Sequence, residues 1–315
     1  MKIVILDECP LNSGDISWHQ FSDFGEVEVY SSTSENQVIQ RIRDADIVIT
    51  NKVPLRKEQL SEAAKLKYIS LLATGYDCID LEAARTLGIV VSNVPGYGSH
   101  SVSQFVFSLL LDICNGVAYH NDSVHAGLWE KRAIWSYWET PQIELCGKTM
   151  GIIGYGKIGK KTAAIAAAFG MKCIINSTNA SSSEGIKAVE FEELCRSSDV
   201  IALHCPLTSK TREIINRESL AMMKPTTILI NNSRGGLIND IDLARALNEG
   251  IIYAAGLDVV SKEPIQSDNP LYHAKNCLIT PHMSWASTES RNRIVRETYL
   301  NIKGYVSNNP RNRVT

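Results

Sequence analysis

The sequence predicts an α/β protein with two doubly wound, parallel-sheet domains, and three observations support this prediction. Short apolar strands alternate with amphipathic helices in two separate series along the 315 residues, a pattern typical of parallel sheets covered by helices. A glycine-rich turn lies inside the second series, and a Pro-Gly break at residues 95–98 separates the two. A chain of this length can form two medium-sized domains.

The first series occupies residues 1–97. Short apolar runs predict strands at residues 3–6, 27–30, 47–50, 68–72 and 90–92. Amphipathic spacing predicts helices at residues 35–43, 56–64 and 80–87. Gly88 follows the third of these helices, where a C-terminal cap favours glycine.

The second series begins after a long apolar helix predicted at residues 102–117. Strands are predicted at residues 150–153, 172–175, 200–204, 228–231, 254–257 and 277–280. Helices are predicted at residues 158–169, 192–196, 217–222 and 240–249. A last helix, at residues 287–306, follows the second sheet and is expected to return to the first domain. We therefore predict one discontinuous domain at residues 1–97 and 286–315, and a second domain at residues 98–285.

The charge and composition of the chain exclude several classes of protein. Basic and acidic side chains number 32 and 34, the formal net charge is -2, and no basic tract stands out, so we expect neither nucleic acid nor membrane as a partner. Eight scattered cysteines form no C-x-x-C pair. This spacing does not predict a metal site. Because the apolar run at the N-terminus is too short for a signal peptide, we expect the protein to be cytoplasmic and its thiols to be free.

The glycine-rich turn, Gly154-Tyr155-Gly156-Lys157-Ile158-Gly159, follows an apolar strand and begins an alanine-rich helix. In this setting, Gly154 permits a tight turn, Gly156 allows the backbone to approach a pyrophosphate, and Gly159 allows close packing of helix and strand. The free N–H groups of a helix N-terminus favour phosphate. We therefore interpret residues 98–285 as a Rossmann dinucleotide-binding domain. A strand–helix turn without a ligand is the alternative.

The next strand bears on the choice between NAD(H) and NADP(H). An acid that binds the ribose hydroxyls of NAD is expected at its end, but the chain continues with Ser177, Thr178 and Asn179. These side chains can hydrogen-bond a 2′-phosphate, although no arginine is close by in sequence. Both cofactors stay open, and the missing acid favours NADP(H).

Three chemically different residues, Arg234, Glu263 and His282, each follow a predicted strand of the second sheet. Ligands bind at the carboxyl ends of such strands. A guanidinium can hold a carboxylate through two hydrogen bonds, and an imidazole with a pKa of about 6.5 can exchange a proton near neutral pH. Together they supply what the reduction of a keto acid needs. Taken singly, a surface arginine or a structural histidine would be the plainer interpretation.

Further residues at strand ends complete the predicted cofactor site. His204 ends a strand before Cys205 and Pro206, and Ser233 precedes the arginine. From the sequence, we expect the following residues to contact the cofactor: Gly154, Gly156, Lys157, Ile158, Gly159, Ser177, Thr178, His204, Cys205, Pro206 and Ser233.

The chain resembles the D-isomer-specific 2-hydroxyacid dehydrogenase family nearly from end to end. The resemblance rests on four segments: Gly154-x-Gly-x-x-Gly159, Asn232-Ser233-Arg234-Gly235-Gly236, Gly256-Leu257-Asp258-Val259 with Glu263-Pro264, and Thr280-Pro281-His282. The segment from Trp135 to Lys148, together with Trp285, is most similar to the glycerate dehydrogenase (hydroxypyruvate reductase) branch.

This resemblance implies a flavodoxin-like substrate domain beside the Rossmann domain, with the active site in an interdomain cleft. It implies that Arg234 anchors the substrate, that Glu263 raises the pKa of the histidine, and that His282 donates and accepts the proton. It also implies that backbone N–H groups of Ala73, Thr74 and Gly75 bind the substrate carboxylate, and that Asp258 contacts the nicotinamide amide. A loop-capping role is the alternative for Asp258.

Aromatic residues suggest how the chain assembles and what it accepts. Trp129, Trp135, Tyr137 and Trp138 lie close together in sequence, and family members pair as homodimers through a similar region. Packing of these aromatics within one chain is the alternative. Trp285 is expected to close one side of the site and so to favour hydroxypyruvate or glyoxylate.

The competing functions are a corepressor-like nucleotide sensor and a dehydrogenase for another acid. Phosphoglycerate is disfavoured because no regulatory domain follows residue 315.

Overall fold

A computed structural model describes residues 1–9, 11–178 and 186–315. The contacts between Cα atoms divide the chain into two compact units. Unit 1 consists of Met1–Gly98 and Ala286–Thr315, and unit 2 of Ser99–Trp285. The boundary predicted between residues 97 and 98 differs from this division by one residue. Asn179, named above as able to hydrogen-bond a 2′-phosphate, lies outside the described residues.

Unit 1 contains one parallel sheet of five strands among its described residues. The strands are β1 (Lys2–Ile5), β2 (Glu26–Val29), β3 (Ile47–Thr50), β4 (Tyr68–Leu71) and β5 (Val90–Ser92). Their order is β2-β1-β3-β4-β5, the flavodoxin-like order. Strands β3 and β4 are buried along their whole length, which explains their continuous apolar runs.

The helices of unit 1 come from both ends of the chain. They are α1 (Glu35–Ile42), α2 (Lys57–Glu62), α3 (Leu81–Thr86) and, numbered last along the chain, α11 (Thr288–Val306). Tyr305 of α11 stacks on Tyr68 with ring centroids 4.3 Å apart. Asn301 of the same helix donates a hydrogen bond to the carbonyl of Asn93. These contacts place the last helix in unit 1.

Unit 2 contains a parallel sheet of seven strands among its described residues. The strands are β6 (Thr149–Ile153), β7 (Lys172–Asn176), β8 (Lys187–Ala188), β9 (Val200–Leu203), β10 (Ile228–Asn231), β11 (Ala254–Leu257) and β12 (Cys277–Ile279). Their order is β12-β11-β10-β9-β6-β7-β8. The order reverses between β6 and β9, and such a switch point is where open α/β sheets bind ligands.

The helices of unit 2 are α4 (Ser99–Asn115), α5 (Val117–His125), α6 (Leu128–Arg132), α7 (Lys157–Ala168), α8 (Phe191–Ser197), α9 (Arg217–Ala221) and α10 (Asp240–Asn248). Two apolar clusters form the core of the unit. One includes Leu110 of α4 and Ala163 of α7, and the other includes Leu194 of α8 and Leu243 of α10. The predicted class, α/β with two parallel sheets, is confirmed. The sequence did not predict β8, α5 or α6.

No single helix in the described part of the chain is long and apolar enough to cross a membrane. Helices α4 and α5, bent by 54° at their junction, reach that length and composition together, but the apolar side chains of α4 are largely buried in the core of unit 2. All eight cysteines lie among the described residues, and each is free.

Candidate active site

The glycine-rich turn joins β6 to α7, as the sequence predicted. Gly154 has a φ of 97°, and a Cβ atom there would lie 2.5 Å from the backbone nitrogen of Cys205. A Cβ at Gly159 would lie 2.3 Å from the carbonyl oxygen of Gly154. A Cβ at Gly156 would meet nothing within 4 Å. Contacts within the protein therefore require the first and third glycines, while the second borders open space where another molecule can approach.

His204 follows β9, across the switch point from the glycine-rich turn. Its backbone N–H donates to Ile153, and its Nε2 lies 2.9 Å from the hydroxyl of Thr162. The other ring nitrogen, Nδ1, is buried without a hydrogen-bond partner in the described part of the chain. Burial lowers the pKa of His204 to about 4, so the imidazole is neutral at physiological pH. Burial also raises the pKa of the Cys205 thiol beside it.

The end of β7 carries no acidic side chain. Asn176 donates from its side chain to the carbonyl of Val189, and its own carbonyl accepts from Gly154. The next residues, Ser177 and Thr178, are half-buried and exposed, respectively. Lys187 of the edge strand β8 is paired with Glu193 at 2.7 Å. The structure therefore places hydroxyl groups where an acid is expected.

Arg234 lies beyond the end of β10 on a turn held by its neighbours. The side chain of Asn231 donates to the carbonyl of Arg234 at 3.0 Å, and Ser233 donates to the carbonyl of Leu203 at the end of β9. The guanidinium donates one hydrogen bond, to the carbonyl of Ser233. Its other donors have no hydrogen-bond partner among the residues that the structure describes, so they are available to a ligand.

The turn after Arg234 packs against the segment that carries Glu263. A Cβ at Gly235 would lie 1.8 Å from the carbonyl oxygen of Val260, so only glycine allows this approach. The buried carboxylate of Asp240 accepts from the hydroxyl of Ser261 at 2.6 Å and from the side chain of Asn269 at 2.8 Å. These bonds hold the loop that follows β11.

His282 and Glu263 are brought together by the loops after β12 and β11. The imidazole Nδ1 lies 2.7 Å from Glu263 Oε2, and both side chains are about one-third exposed, 32% and 39%. Nε2 has no hydrogen-bond partner in the described part of the chain, so this side of the ring is open to a ligand. The arrangement has the geometry of an imidazole oriented by a carboxylate.

The backbone at His282 adopts the left-handed conformation, with a φ of 54°. This conformation costs a residue other than glycine about 1–2 kcal/mol, so the surrounding contacts must impose it. Asp258 is fully buried and accepts hydrogen bonds from the hydroxyl of Thr280 and from the backbone N–H groups of Met283 and Ser284, at 2.7–2.8 Å. Asp258 therefore caps the loop that carries His282.

The predicted carboxylate-binding loop, Ala73 to Gly75, lies in unit 1 at the carboxyl end of β4. The carbonyl of Ala73 accepts from Val94, and the hydroxyl of Thr74 donates to the carbonyl of Val94 at 2.8 Å. The side chain of Asn93 donates to the carbonyl of Thr74. The loop is thus fixed within its own unit.

The structure brings the predicted residues of unit 2 into two groups. Gly154, His204 and Cys205 meet at the switch point, and Glu263 pairs with His282. The Arg234 guanidinium instead bonds to the carbonyl of Ser233, and Gly235 joins its loop to the loop of Glu263. Sequence reasoning missed Asp240 as a loop anchor and Thr162 as a partner of His204, because neither lies in a strand-end motif. In the described residues, no group of three or more His, Cys, Asp or Glu side chains is arranged to hold a metal ion.

Residues 107–284 match the family model described as D-isomer specific 2-hydroxyacid dehydrogenase, NAD binding domain. The match covers more than half of the chain. The chain belongs to this family. The predicted family and the predicted class of enzyme, an NAD(P)-dependent oxidoreductase, are therefore confirmed.

Several relatives are similar to the whole chain. A hydroxypyruvate reductase of Blautia hydrogenotrophica is 49% identical over 99% of both chains. A glycerate dehydrogenase of Methylorubrum extorquens is 36% identical, covering 99% of this chain and 98% of its own. The solved structure of an acyclic imino acid reductase in complex with NADPH and D-Arg has a TM-score of 0.88 and 32% identity over 100% of both chains. The predicted branch of the family is thus also confirmed.

Proposed function

We propose that this dehydrogenase reduces a small 2-keto acid, hydroxypyruvate or glyoxylate, to the D-2-hydroxy acid with NAD(P)H. The observation that carries the proposal is the 2.7 Å contact between His282 Nδ1 and Glu263 Oε2. A carboxylate in this position accepts the Nδ1–H and orients the ring. The pair is therefore suited to transfer a proton to a keto oxygen.

In this proposal, His282 is the general acid of reduction and the general base of the reverse reaction. Glu263 accepts the Nδ1–H, so the second proton of the imidazolium is carried by Nε2, which has no partner among the described residues. When bound, the reduced nicotinamide supplies a hydride to the keto carbon. His282 donates its Nε2 proton to the keto oxygen, and the neutral ring regains a proton from solvent.

Arg234 is proposed to anchor the substrate carboxylate. Only one of its guanidinium donors is used within the described protein, and that bond goes to the carbonyl of Ser233. The remaining donors can form a two-fold hydrogen bond with a carboxylate. The backbone N–H groups of Ala73, Thr74 and Gly75 are proposed as a second set of carboxylate donors.

The residues around the switch point fit a dinucleotide. Gly156 leaves open space at the N-terminus of α7, where backbone N–H groups favour phosphate. The buried Nδ1 of His204 lacks a partner in the described part of the chain, and a bound nucleotide can satisfy it. We propose that the cofactor is bordered by Lys157, Ile158, Pro206 and Ser233.

Because Ser177 and Thr178 stand where an acid would repel a 2′-phosphate, we favour NADP(H), and NAD(H) remains the alternative. Contact of Asp258 with the nicotinamide amide remains a proposal beside its capping role.

Trp285 and the relatives support the size and identity that we propose for the substrate. The half-buried indole lies three residues after His282, where it would exclude a bulky side chain. The relative from Blautia hydrogenotrophica is named hydroxypyruvate reductase, so hydroxypyruvate, giving D-glycerate, is our first choice.

We also propose that the chain acts as a cytoplasmic homodimer. In the segment 117–138 the side chains of Val117, Trp135 and Trp138 are 66%, 91% and 67% exposed, and large exposed aromatics are common at interfaces. Tyr137, by contrast, bonds Ser123 within the same chain. The free state of all eight cysteines supports a reducing compartment.

A panel of assays tests the proposed function. NADH and NADPH are each combined with hydroxypyruvate, glyoxylate, pyruvate and phenylpyruvate, and the loss of reduced-nicotinamide absorbance is recorded. We expect the highest kcat/KM with hydroxypyruvate or glyoxylate, the lowest with phenylpyruvate, and a product of D configuration. Binding of the nucleotide without turnover of any acid would instead favour a nucleotide sensor.

A further inference from the structure

The peptide group between His282 and Met283 is held at both of its ends. Its carbonyl oxygen, from His282, accepts a hydrogen bond from the indole Nε1–H of Trp285 at 2.8 Å. Its N–H, from Met283, donates to the buried carboxylate of Asp258 at 2.8 Å. A peptide group is planar, so two bonds from opposite edges fix the rotation of the whole group.

The residue on the N-terminal side of this peptide is the one with the left-handed backbone. His282 has a φ of 54°, and its own N–H donates to the carbonyl of Thr280 at 3.0 Å. The rotamers that a side chain can adopt depend on the φ and ψ of its residue. A rotation of the 282–283 peptide would change ψ of His282, and with it the rotamer that keeps the ring on Glu263.

We propose that Trp285 is a positioning residue for the proton-transferring imidazole. Its indole N–H holds the His282 carbonyl, and thereby the strained backbone, in the one orientation that keeps Nδ1 on Glu263 and Nε2 free. This inference rests on the proposed role of His282. It assigns the tryptophan a function separate from closing the substrate site, because it depends on the N–H group and not on the bulk of the ring.

Two variants separate the N–H group from the ring. Trp285→Phe keeps an aromatic ring and removes the donor. Replacement of Trp285 by benzothienylalanine, in which sulfur takes the place of the N–H, keeps the size of the ring as well. Trp18→Phe is the matched control, since Trp18 makes a comparable indole bond of 2.6 Å to Glu8 in unit 1.

Two measurements are made on each folded variant. The first is kcat, with KM for the cofactor and for hydroxypyruvate. The second is the set of imidazole ring signals of His282 in the protein without substrate, recorded by NMR with labelled histidine and assigned by their loss in His282→Gln. A residue that only stabilises the fold would change the melting temperature but neither of these.

For both Trp285 variants we expect kcat to fall about tenfold or more, because a small misplacement of a reacting group has a large effect on rate. KM for the cofactor should stay within about twofold of wild type, and the ring signals of His282 should shift or broaden. Trp18→Phe should change neither readout.

Unchanged kcat and ring signals in the benzothienylalanine protein would overturn the positioning role, even if Trp285→Phe failed to fold. A higher KM for hydroxypyruvate with unchanged ring signals would also overturn it, in favour of a wall for the substrate. A fully active His282→Gln enzyme would overturn the proposed function itself. Loss of activity in His282→Gln beside a normal benzothienylalanine protein would overturn this inference alone.

Discussion

His282 and Glu263 lie 19 residues apart in the sequence and share a 2.7 Å contact. Both could be predicted as site residues because each follows a strand, and neighbouring parallel strands deliver their carboxyl ends to the same edge of a sheet. The left-handed backbone of His282 and the bond from Trp285 to its carbonyl could not be predicted, because they depend on loop geometry that no periodicity encodes. The same holds for Asp240, whose partners lie 21 and 29 residues away.

At the scale of single residues, Arg234→Lys should raise KM for hydroxypyruvate by about tenfold or more, since an ammonium cannot reproduce two parallel hydrogen bonds to a carboxylate. KM for the cofactor should stay unchanged. Steady-state kinetics of the two substrates measure both values.

Arg245→Lys is the control for this change. Arg245 is an exposed residue of α10 that pairs with Glu249, so its replacement should leave both KM values as in wild type. If Arg234→Lys behaved like this control, Arg234 would not be the anchor.

At the scale of elements, some helices and strands could be predicted from the sequence and others could not. The strand β6 and helix α7 are predicted from an apolar run, three glycines and an alanine-rich helix. The two-residue strand β8 is too short to produce a pattern. Helices α5 and α6 begin after Gly116 and Gly127, both in left-handed conformation. Ser123 of α5 is the one buried residue in these two helices. Without a buried apolar face, they show no helical periodicity.

The end of β7 leads to a prediction about cofactor choice. Ser177→Asp should lower kcat/KM for NADPH relative to that for NADH by about tenfold or more, because a carboxylate repels a 2′-phosphate and can bind the ribose hydroxyls. Ser177→Asn, of nearly equal size but neutral, is the matched control. An unchanged ratio in Ser177→Asp would mean that this residue does not face the ribose.

The end of β9 leads to a prediction about pH and stability. The pKa of His204 is lowered by burial to about 4 in the folded chain, whereas an unfolded histidine has a pKa of about 6.5. Between these values the unfolded state binds more protons, so the free energy of unfolding falls as pH falls from about 6.5 towards 4. The titration of His204 should lower the free energy of unfolding by at most about 3 kcal/mol, and it should have no effect above about pH 6.5.

Urea unfolding at about pH 7 and about pH 5 measures this effect. His204→Gln should lose less stability than wild type on acidification. His273→Gln, a change at an exposed histidine, should lose as much as wild type. Equal losses in all three proteins would show that His204 does not titrate as a buried group.

At the scale of the whole molecule, the two series of strands and helices predicted the correct class of fold, and the resemblance of four sequence segments indicated the family. The discontinuity of unit 1 was suggested by a helix that follows the last strand of the second sheet. Its physical cause, the packing of Tyr305 on Tyr68 and of Asn301 on Asn93, lies in contacts of long sequence separation that the sequence does not display.

The assembly of the molecule is open to a direct test. Trp135→Ser combined with Trp138→Ser should convert a dimer into a monomer, because these exposed rings are proposed to be buried in the interface. Light scattering after size-exclusion chromatography measures the mass. Ile241→Ser is the control, since Ile241 is 71% exposed on α10 and outside the segment 117–138. A wild-type chain of monomeric mass, or a dimeric double variant, would contradict the proposal.

The role of His282 as proton donor is tested most directly by the kcat for hydroxypyruvate reduction in His282→Ala, with His273→Ala as the control. Removal of a positioned acid should lower kcat by about 10²–10⁴-fold, while the control stays near wild type. If His282→Ala instead turned over within about twofold of wild type, the pair formed by His282 and Glu263 would not be the catalytic centre.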